Sequence, residues 1–198
     1  LDYHGTRSHV LPPSGQGVAT LIALGILRQL DPQRHPVDSA PAVHLQVEAM
    51  RLALGLLHRH VADPDFMELT PEALLDEDRL AKLADRVDRE HAAAASPLPE
   101  RRGGTVYLSA ADASGMMVSF IQSNSMGFGS GVVIPGTGIA MQNRGAGFTL
   151  EPGHPNQVGG GKRPLHTIRP GFLSDEGSPL MSFGVMGGAF QPQGQLQM

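Results

Sequence analysis

Apolar residues recur at helical spacing over most of the first hundred positions. The first predicted helix, which Ser14 would cap, is apolar on nearly all sides, so we expect it to be well buried. Its apolar positions are Val18, Leu21, Ile22, Leu24, Ile26 and Leu27. A second helix follows Ser39, a third follows the capping Thr70 and its proline, and a fourth follows Asp76.

The spacing changes to about two residues after Thr105, which is typical of strands. VYLSAA and MMVSFIQ predict a hairpin around the turn 112–115, and residues 131–141 predict a second hairpin. Between the helices and the strands, residues 92–104 offer no apolar face and are expected to form an exposed linker. From position 143 the chain is rich in glycine and proline, with few periodic segments. The pattern therefore predicts an α+β protein with a helical N-terminal half and an antiparallel β C-terminal half.

The composition narrows the function classes only a little. The 198 residues are 40% hydrophobic and 17% charged, as in soluble globular proteins. A net charge of -4 argues against nucleic-acid or anionic-membrane binding. The chain has no cysteine, which excludes disulfides, thiolate metal sites and a cysteine nucleophile, and it has no run of apolar residues long enough for a membrane helix. It begins without Met and ends at GQLQM, so we expect an internal piece of a longer protein and leave its compartment open.

Three motifs give weaker hypotheses. Gly159-Gly160-Gly161-Lys162 suggests a phosphate loop, but arginine and proline follow where that motif needs a hydroxyl and a helix. Nine histidines suggest a metal, but His44 and Glu48 form a single weak pair where a catalytic zinc needs three ligands. Asp63 and Asp65 suggest an acid–base pair, and a turn with capping carboxylates explains them better.

The segments GGTVYLSAADASG, FGSGVVIPGTGIAMQNRGAGF and HPNQVGGGKRPLHTIRPGF, with the later Gly187-Gly188, resemble the γ-glutamyltranspeptidase family of N-terminal-nucleophile hydrolases. PPSGQGVATLIALGIL and the stretch beginning HLQVEAM resemble the end of that family's large subunit. The resemblance implies a partial four-layer αββα sandwich, made as one precursor. A cut between Gly104 and Thr105 would leave residues 1–104 as the end of the large subunit and 105–198 as the start of the small one, in one composite domain.

The same resemblance implies roles for individual residues. Thr105 opens a strand after two glycines, and this local pattern alone does not indicate a function. In the family this position is the nucleophile for both self-cleavage and turnover, and the freed amine is its base. Ser123 stands where the family keeps an orienting threonine, and the N–H groups of Gly187 and Gly188 would stabilise the oxyanion. No cofactor and no metal ion are implied.

The substrate-binding positions depart from the family pattern. Arg144 and Gly147 stand where a glutamine and an aspartate hold the α-amino group of the donor. Ser125 replaces an asparagine, and His166 and Thr167 replace the paired serines that contact the α-carboxylate. A cation in place of an acid disfavours an ammonium group and suits a donor with a second carboxylate.

Three interpretations follow for the function. The first is an autoprocessing enzyme that attacks a γ-glutamyl amide of the glutathione type and passes the acyl group to water or an acceptor amine. The second is a glutaryl- or cephalosporin-type acylase of the same family, without α-amino recognition. The third is an uncleaved or truncated piece without activity. Under the first two, the partners are small molecules and the two subunits of one precursor, with no nucleic acid.

Overall fold

The computed structural model describes residues 1–94 and 104–198. The helices are α1 (Gly17–Leu30), α2 (Ala40–His60), α3 (Pro71–Leu74), α4 (Glu77–Ala84) and α5 (Gln191–Leu196). The strands are β1 (Asp2–Tyr3), β2 (Thr6–Val10), β3 (Thr105–Ala111), β4 (Met117–Ser123), β5 (Gly171–Asp175) and β6 (Ser178–Phe183). Most of the predicted linker, residues 95–103, lies outside the described residues.

The helices form the main hydrophobic core, with α1 at its centre. Most of α1 is buried, as its all-round apolar pattern predicts, and it packs against α2, α4 and α5. The largest fully buried side chains of this core are Ile22, Ile26, Leu45, Met50, Leu57, Leu74 and Leu80. Thr70 caps α3 by accepting from the Ala73 N–H, and Asp76 caps α4 by accepting from the Arg79 N–H, both as predicted.

A four-stranded antiparallel sheet joins the two ends of the chain, in the order β1-β2-β5-β6. Arg7 pairs with Ser174 and Val10 pairs with Gly171, across more than 160 residues. The sequence interpretation missed all four strands, because β1 and β2 are short and polar and their partners lie far away in the chain. The turn between β5 and β6 has positive φ at Glu176 and Gly177 (45° and 83°), the backbone of a tight two-residue hairpin.

The predicted first hairpin is confirmed as the sheet of β3 and β4. Its register pairs Thr105 with Ser123 at the open end, and the Asp112 carboxylate accepts from the Ser114 and Met116 N–H groups at the turn. One face packs against β6, where the Ser119 hydroxyl donates to the Phe183 carbonyl at 3.2 Å. The segment that starts at Thr105 is therefore an ordered strand.

One local prediction was wrong. Helix α1 begins at Gly17 with Gln16 in the cap position, so Ser14 does not cap it; the Ser14 carbonyl instead accepts from the His166 N–H at 2.8 Å.

The predicted second hairpin is present as a short one. Val133 and Ala140 form an antiparallel bridge, the Ile134 N–H donates to the Ile139 carbonyl at 2.9 Å, and the Met141 N–H donates to the Val132 carbonyl at 2.8 Å.

Within residues 1–94 and 104–198, no helix is both long enough and apolar enough to cross a membrane.

Candidate active site

Thr105 is the first residue of β3, directly opposite the last residue of β4. The Ser123 hydroxyl donates to the Gly104 carbonyl oxygen at 2.9 Å and accepts from the Ser125 N–H at 3.0 Å. The Gly104 carbonyl belongs to the peptide bond that precedes Thr105. The bond predicted to be cut thus has a hydroxyl donor fixed on its oxygen, and strand pairing holds that donor in place.

Space around this peptide bond is open. A β-carbon placed on Gly104 would meet no heavy atom within 4 Å, and Thr105 is only half-buried. None of the described residues therefore crowds the α-carbon of Gly104, next to the carbonyl that Thr105 is predicted to attack.

Arg144 lies in a short 3-10 turn, Arg144–Gly147, and is only 6% exposed. One of its terminal nitrogens donates to the Thr167 hydroxyl, and its Nε has no partner among the described residues. Burial lowers its pKa, and within the described part of the chain no carboxylate pairs with it. A buried guanidinium without an anion is costly, which makes this position suited to an anionic ligand.

His166 stands beside Arg144 and is half-buried. Burial lowers its pKa, and the charge of Arg144 lowers it further, so the imidazole is mainly neutral at neutral pH. Its Nδ1 accepts from the Ile168 N–H at 3.3 Å, which leaves the proton of the neutral ring on Nε2. His166 therefore carries a neutral N–H donor close to Arg144.

Gly147, the position where an acidic side chain is missing, has little room for any side chain. A β-carbon placed there would stand 3.0 Å from the Leu165 carbonyl oxygen. An aspartate at this position would therefore require the backbone to shift, which agrees with the departure seen in the sequence.

Gly187 and Gly188 have positive φ angles of 129° and 57° and lead into the 3-10 turn Gly188–Phe190. Their N–H groups donate to no backbone carbonyl among residues 1–94 and 104–198. The Gly188 carbonyl oxygen accepts from the Gln16 side chain at 2.8 Å. The diglycine therefore offers unpaired N–H donors on a turn held by its carbonyl.

The structure arranges the predicted residues in two groups. Gly104, Thr105, Ser123 and Ser125 form the first; Arg144, His166, Thr167 and Gly188, linked through Gln16, form the second. Asn143 joins the groups, because its N–H donates to the Asn124 carbonyl and its side-chain oxygen accepts from the Met126 N–H, both at 3.2 Å.

Two residues of this arrangement, Gln16 and Asn143, were missed by the sequence analysis. Asn143 is the neighbour of Arg144 and lies inside a segment that the resemblance already covered, which is the one signal that could have found it. Gln16 also lies in a covered segment, PPSGQGVATLIALGIL, but amide side chains have no characteristic spacing that would single it out.

The weaker motifs are accounted for by other contacts. The Lys162 ammonium donates to the Pro155 carbonyl and lies 4.2 Å from the centre of the Phe66 ring. Asp63 accepts from the Asp65 N–H, as expected for a turn, and pairs with Arg163. Among the described residues, no three His, Asp or Glu side chains are grouped to hold a metal ion.

The α+β fold, in which Thr105 starts a strand opposite Ser123, matches a solved acylase structure over nearly the whole chain and is that of the N-terminal-nucleophile hydrolases. The family model of the γ-glutamyltranspeptidases matches residues 1–198, and the chain belongs to that family.

Individual relatives agree with this assignment. The chain is 42% identical to an oxamate amidohydrolase proenzyme of Klebsiella pneumoniae over 96% of its length. It is 36% identical, over 98% of its length, to the glutathione hydrolase-like YwrD proenzyme of Bacillus subtilis. The crystal structure of a cephalosporin acylase from Bacillus halodurans superposes with a TM-score of 0.87 at 45% identity and 99% coverage. The chain spans between 35% and 37% of the length of these three proteins.

Proposed function

We propose that the whole protein is an autoprocessing amidohydrolase in which Thr105, released by a cut after Gly104, attacks the amide bond of a carboxylate-bearing substrate. The observation that supports this most directly is the hydrogen bond from the Ser123 hydroxyl to the Gly104 carbonyl, beside the Thr105 hydroxyl. The relatives named as proenzymes support the processing step.

Processing is an intramolecular acyl shift. The Thr105 oxygen bonds to the Gly104 carbonyl carbon, the carbon–nitrogen bond breaks, and the nitrogen takes the hydroxyl proton. Water then hydrolyses the ester and leaves a free amine on Thr105. Negative charge develops on the Gly104 oxygen during the attack, and the Ser123 hydroxyl donates to that atom.

Turnover repeats the attack on an external amide. The free amine of an N-terminal residue has a pKa of roughly 7.7–8.0, so it can take the hydroxyl proton near neutral pH. The leaving amine takes that proton, and water or an acceptor amine resolves the acyl-enzyme. The unpaired N–H groups of Gly187 and Gly188 would stabilise the anionic intermediate.

The substrate class follows from Arg144. Its guanidinium is buried, shares a hydrogen bond with Thr167 and has no acidic partner within the described residues. We infer an acyl group that carries its own carboxylate and no ammonium beside it, as in a glutaryl amide. The relative named as an oxamate amidohydrolase is consistent with this, because oxamate carries a carboxylate next to its amide.

A γ-glutamyl donor of the glutathione type is the second candidate. The family assignment and the glutathione hydrolase-like relative favour it. Its carboxylate could also pair with Arg144, but its ammonium group would lie near a cation without an acid to balance it.

Intact-mass and N-terminal analysis of the full-length protein tests the processing step. We expect two chains, one of which begins at Thr105, and a single uncut chain for Thr105→Ala, with no hydrolysis of either glutaryl or γ-glutamyl 4-nitroanilide. Cleavage after Gly104 in Thr105→Ala would contradict the mechanism. An uncut and inactive wild-type protein would favour a non-catalytic chain.

A further inference from the structure

Gln16 lies at the start of α1, is 2% exposed, and connects two segments of the candidate site. Its side-chain nitrogen donates to the Thr167 carbonyl and, at 2.8 Å, to the Gly188 carbonyl. A carboxamide has two N–H donors, so both are used on backbone oxygens more than 20 residues apart.

The backbone of Gln16 is tied to the same region. Its N–H donates to the His166 carbonyl at 2.9 Å, and its carbonyl accepts from Arg169 at 3.4 Å. Arg169 is 1% exposed, and the Gln195 side chain fixes its guanidinium at 2.7 Å. The backbone of Gln16 is therefore held rigidly. Its side-chain amide fixes the positions of the Thr167 and Gly188 carbonyls.

The diglycine starts a turn that two backbone hydrogen bonds close, from the Phe190 N–H to the Gly187 carbonyl at 3.0 Å and from the Gln191 N–H to the Gly188 carbonyl. The N–H groups of a helical turn point toward its N-terminal end. The Gly188 carbonyl shares its peptide plane with the Ala189 N–H, so Gln16 does not hold the glycine N–H groups directly. It anchors the turn as a whole, and the direction of the glycine N–H groups follows from the position of that turn.

We propose that Gln16 is a positioning residue that aligns the N–H donors of the diglycine with the carboxylate-binding segment at Thr167. This inference rests on the proposed function. Gln16 itself touches no reacting atom. It fixes the distance between the group that binds the substrate carboxylate and the donors that stabilise the oxyanion, so its loss should lower kcat more than it raises KM.

The test uses the processed full-length enzyme with glutaryl and γ-glutamyl 4-nitroanilides, well below the melting temperature of each variant. Gln16→Met keeps the length of the side chain and removes both donors. We expect kcat to fall about tenfold or more, with KM changed less than about threefold. Cleavage at Thr105 should continue, since the Ser123 donor is unaffected.

Thr20→Val is the matched control. The Thr20 hydroxyl is also buried on α1 and donates to a backbone carbonyl of the C-terminal segment, that of Pro192, at 3.2 Å. The Thr20→Val variant should be less stable than wild type and should have the wild-type kcat. Equal losses of kcat in both variants, or an unchanged kcat in Gln16→Met, would overturn the positioning role.

If Gln16→Met does not fold, Gln16→Glu is used for the test instead. A buried carboxyl between two carbonyls has a raised pKa, and its protonated form can donate one hydrogen bond. We expect its kcat, relative to wild type, to recover as the pH is lowered; no recovery contradicts the inference. A wild-type protein that is cut at Thr105 but hydrolyses neither anilide contradicts the proposed substrate class and removes the reaction that Gln16 is proposed to serve.

Discussion

At the scale of single residues, Ser123 stands out because its two hydrogen bonds act in the same direction. The Ser125 N–H donates to its oxygen, and its own hydrogen points at the Gly104 carbonyl. A hydroxyl that accepts one hydrogen bond is a better donor for the next. Ser123 should therefore polarise the carbonyl that Thr105 has to attack.

Removing this hydroxyl should slow self-cleavage. We expect the Ser123→Ala precursor to be cleaved about 100-fold more slowly than wild type, because it loses one donor to the developing oxyanion. The Ser123→Thr precursor should be cleaved at close to the wild-type rate. The rate is read from the disappearance of the precursor band on a gel. Ser119→Ala is the control: it removes a hydroxyl from the same strand, bonded instead to Tyr107 and Phe183. Cleavage of the Ser123→Ala precursor at the wild-type rate would contradict the role proposed for Ser123.

Arg144 gives a second prediction at this scale. In Arg144→Gln we expect KM for the glutaryl anilide to rise about tenfold or more, because a charge-assisted contact to the carboxylate is lost. Initial-rate kinetics measure it.

Arg34→Gln provides the comparison, since Arg34 is an exposed arginine paired with Asp31. Unchanged KM in Arg144→Gln would mean that the substrate carboxylate lies elsewhere.

At the scale of elements, the glycine-rich segment before Thr167 is held against the end of α2. The Asp63 carboxylate accepts from the backbone and side chain of Arg163, and the His154 ring contacts the His58 carbonyl at 2.8 Å. These contacts give a loop without regular structure a fixed path to Thr167. They also place one acid-sensitive ion pair, that of Asp63 with Arg163, at this junction.

The Arg163 guanidinium beside Asp63 lowers the pKa of that carboxyl to about 2 from its ordinary 3.8. An acid whose pKa is lower in the folded state stabilises the fold above its unfolded value and loses that contribution as the pH falls. We expect the free energy of unfolding to decline between about pH 4 and pH 2. Asp63→Asn should be less stable than wild type at neutral pH, and its stability should depend less on pH in that range. Thermal unfolding at several pH values measures this.

Asp2→Asn removes a comparable pair with Arg7 in which both side chains are exposed, so its effect should be smaller. Equal effects of the two substitutions would mean that the junction at Asp63 is not special.

The elements also show what could be predicted from the sequence. Helices α1 to α4, the caps at Thr70 and Asp76 and the hairpin of β3 and β4 depend on nearby residues, and their patterns were recognisable. The pairing of β2 with β5 depends on contacts across most of the chain, and a short polar strand carries no pattern that separates it from a loop. Local structure was therefore predictable, and the sheet was not.

At the scale of the whole molecule, the same limit applies to the candidate site. The resemblance gave Ser123 the role of orienting Thr105, and the hairpin register pairs these two residues. The sequence could not show that Gln16 links Thr167 to Gly188, because those contacts exist only after the helical segment packs on the later loops. Gln16 and Asn143 lie in segments that the resemblance covered, but nothing in the sequence shows which distant groups their side chains contact.

The four-stranded sheet has a further consequence for the proposed cut. Strands β1 and β2 precede Gly104, β5 and β6 follow it, and α5 packs against α1 and α2. A break after Gly104 would therefore divide the covalent chain but not the sheet or the helical packing. The two products would behave as one folding unit, and separating them would require a denaturant.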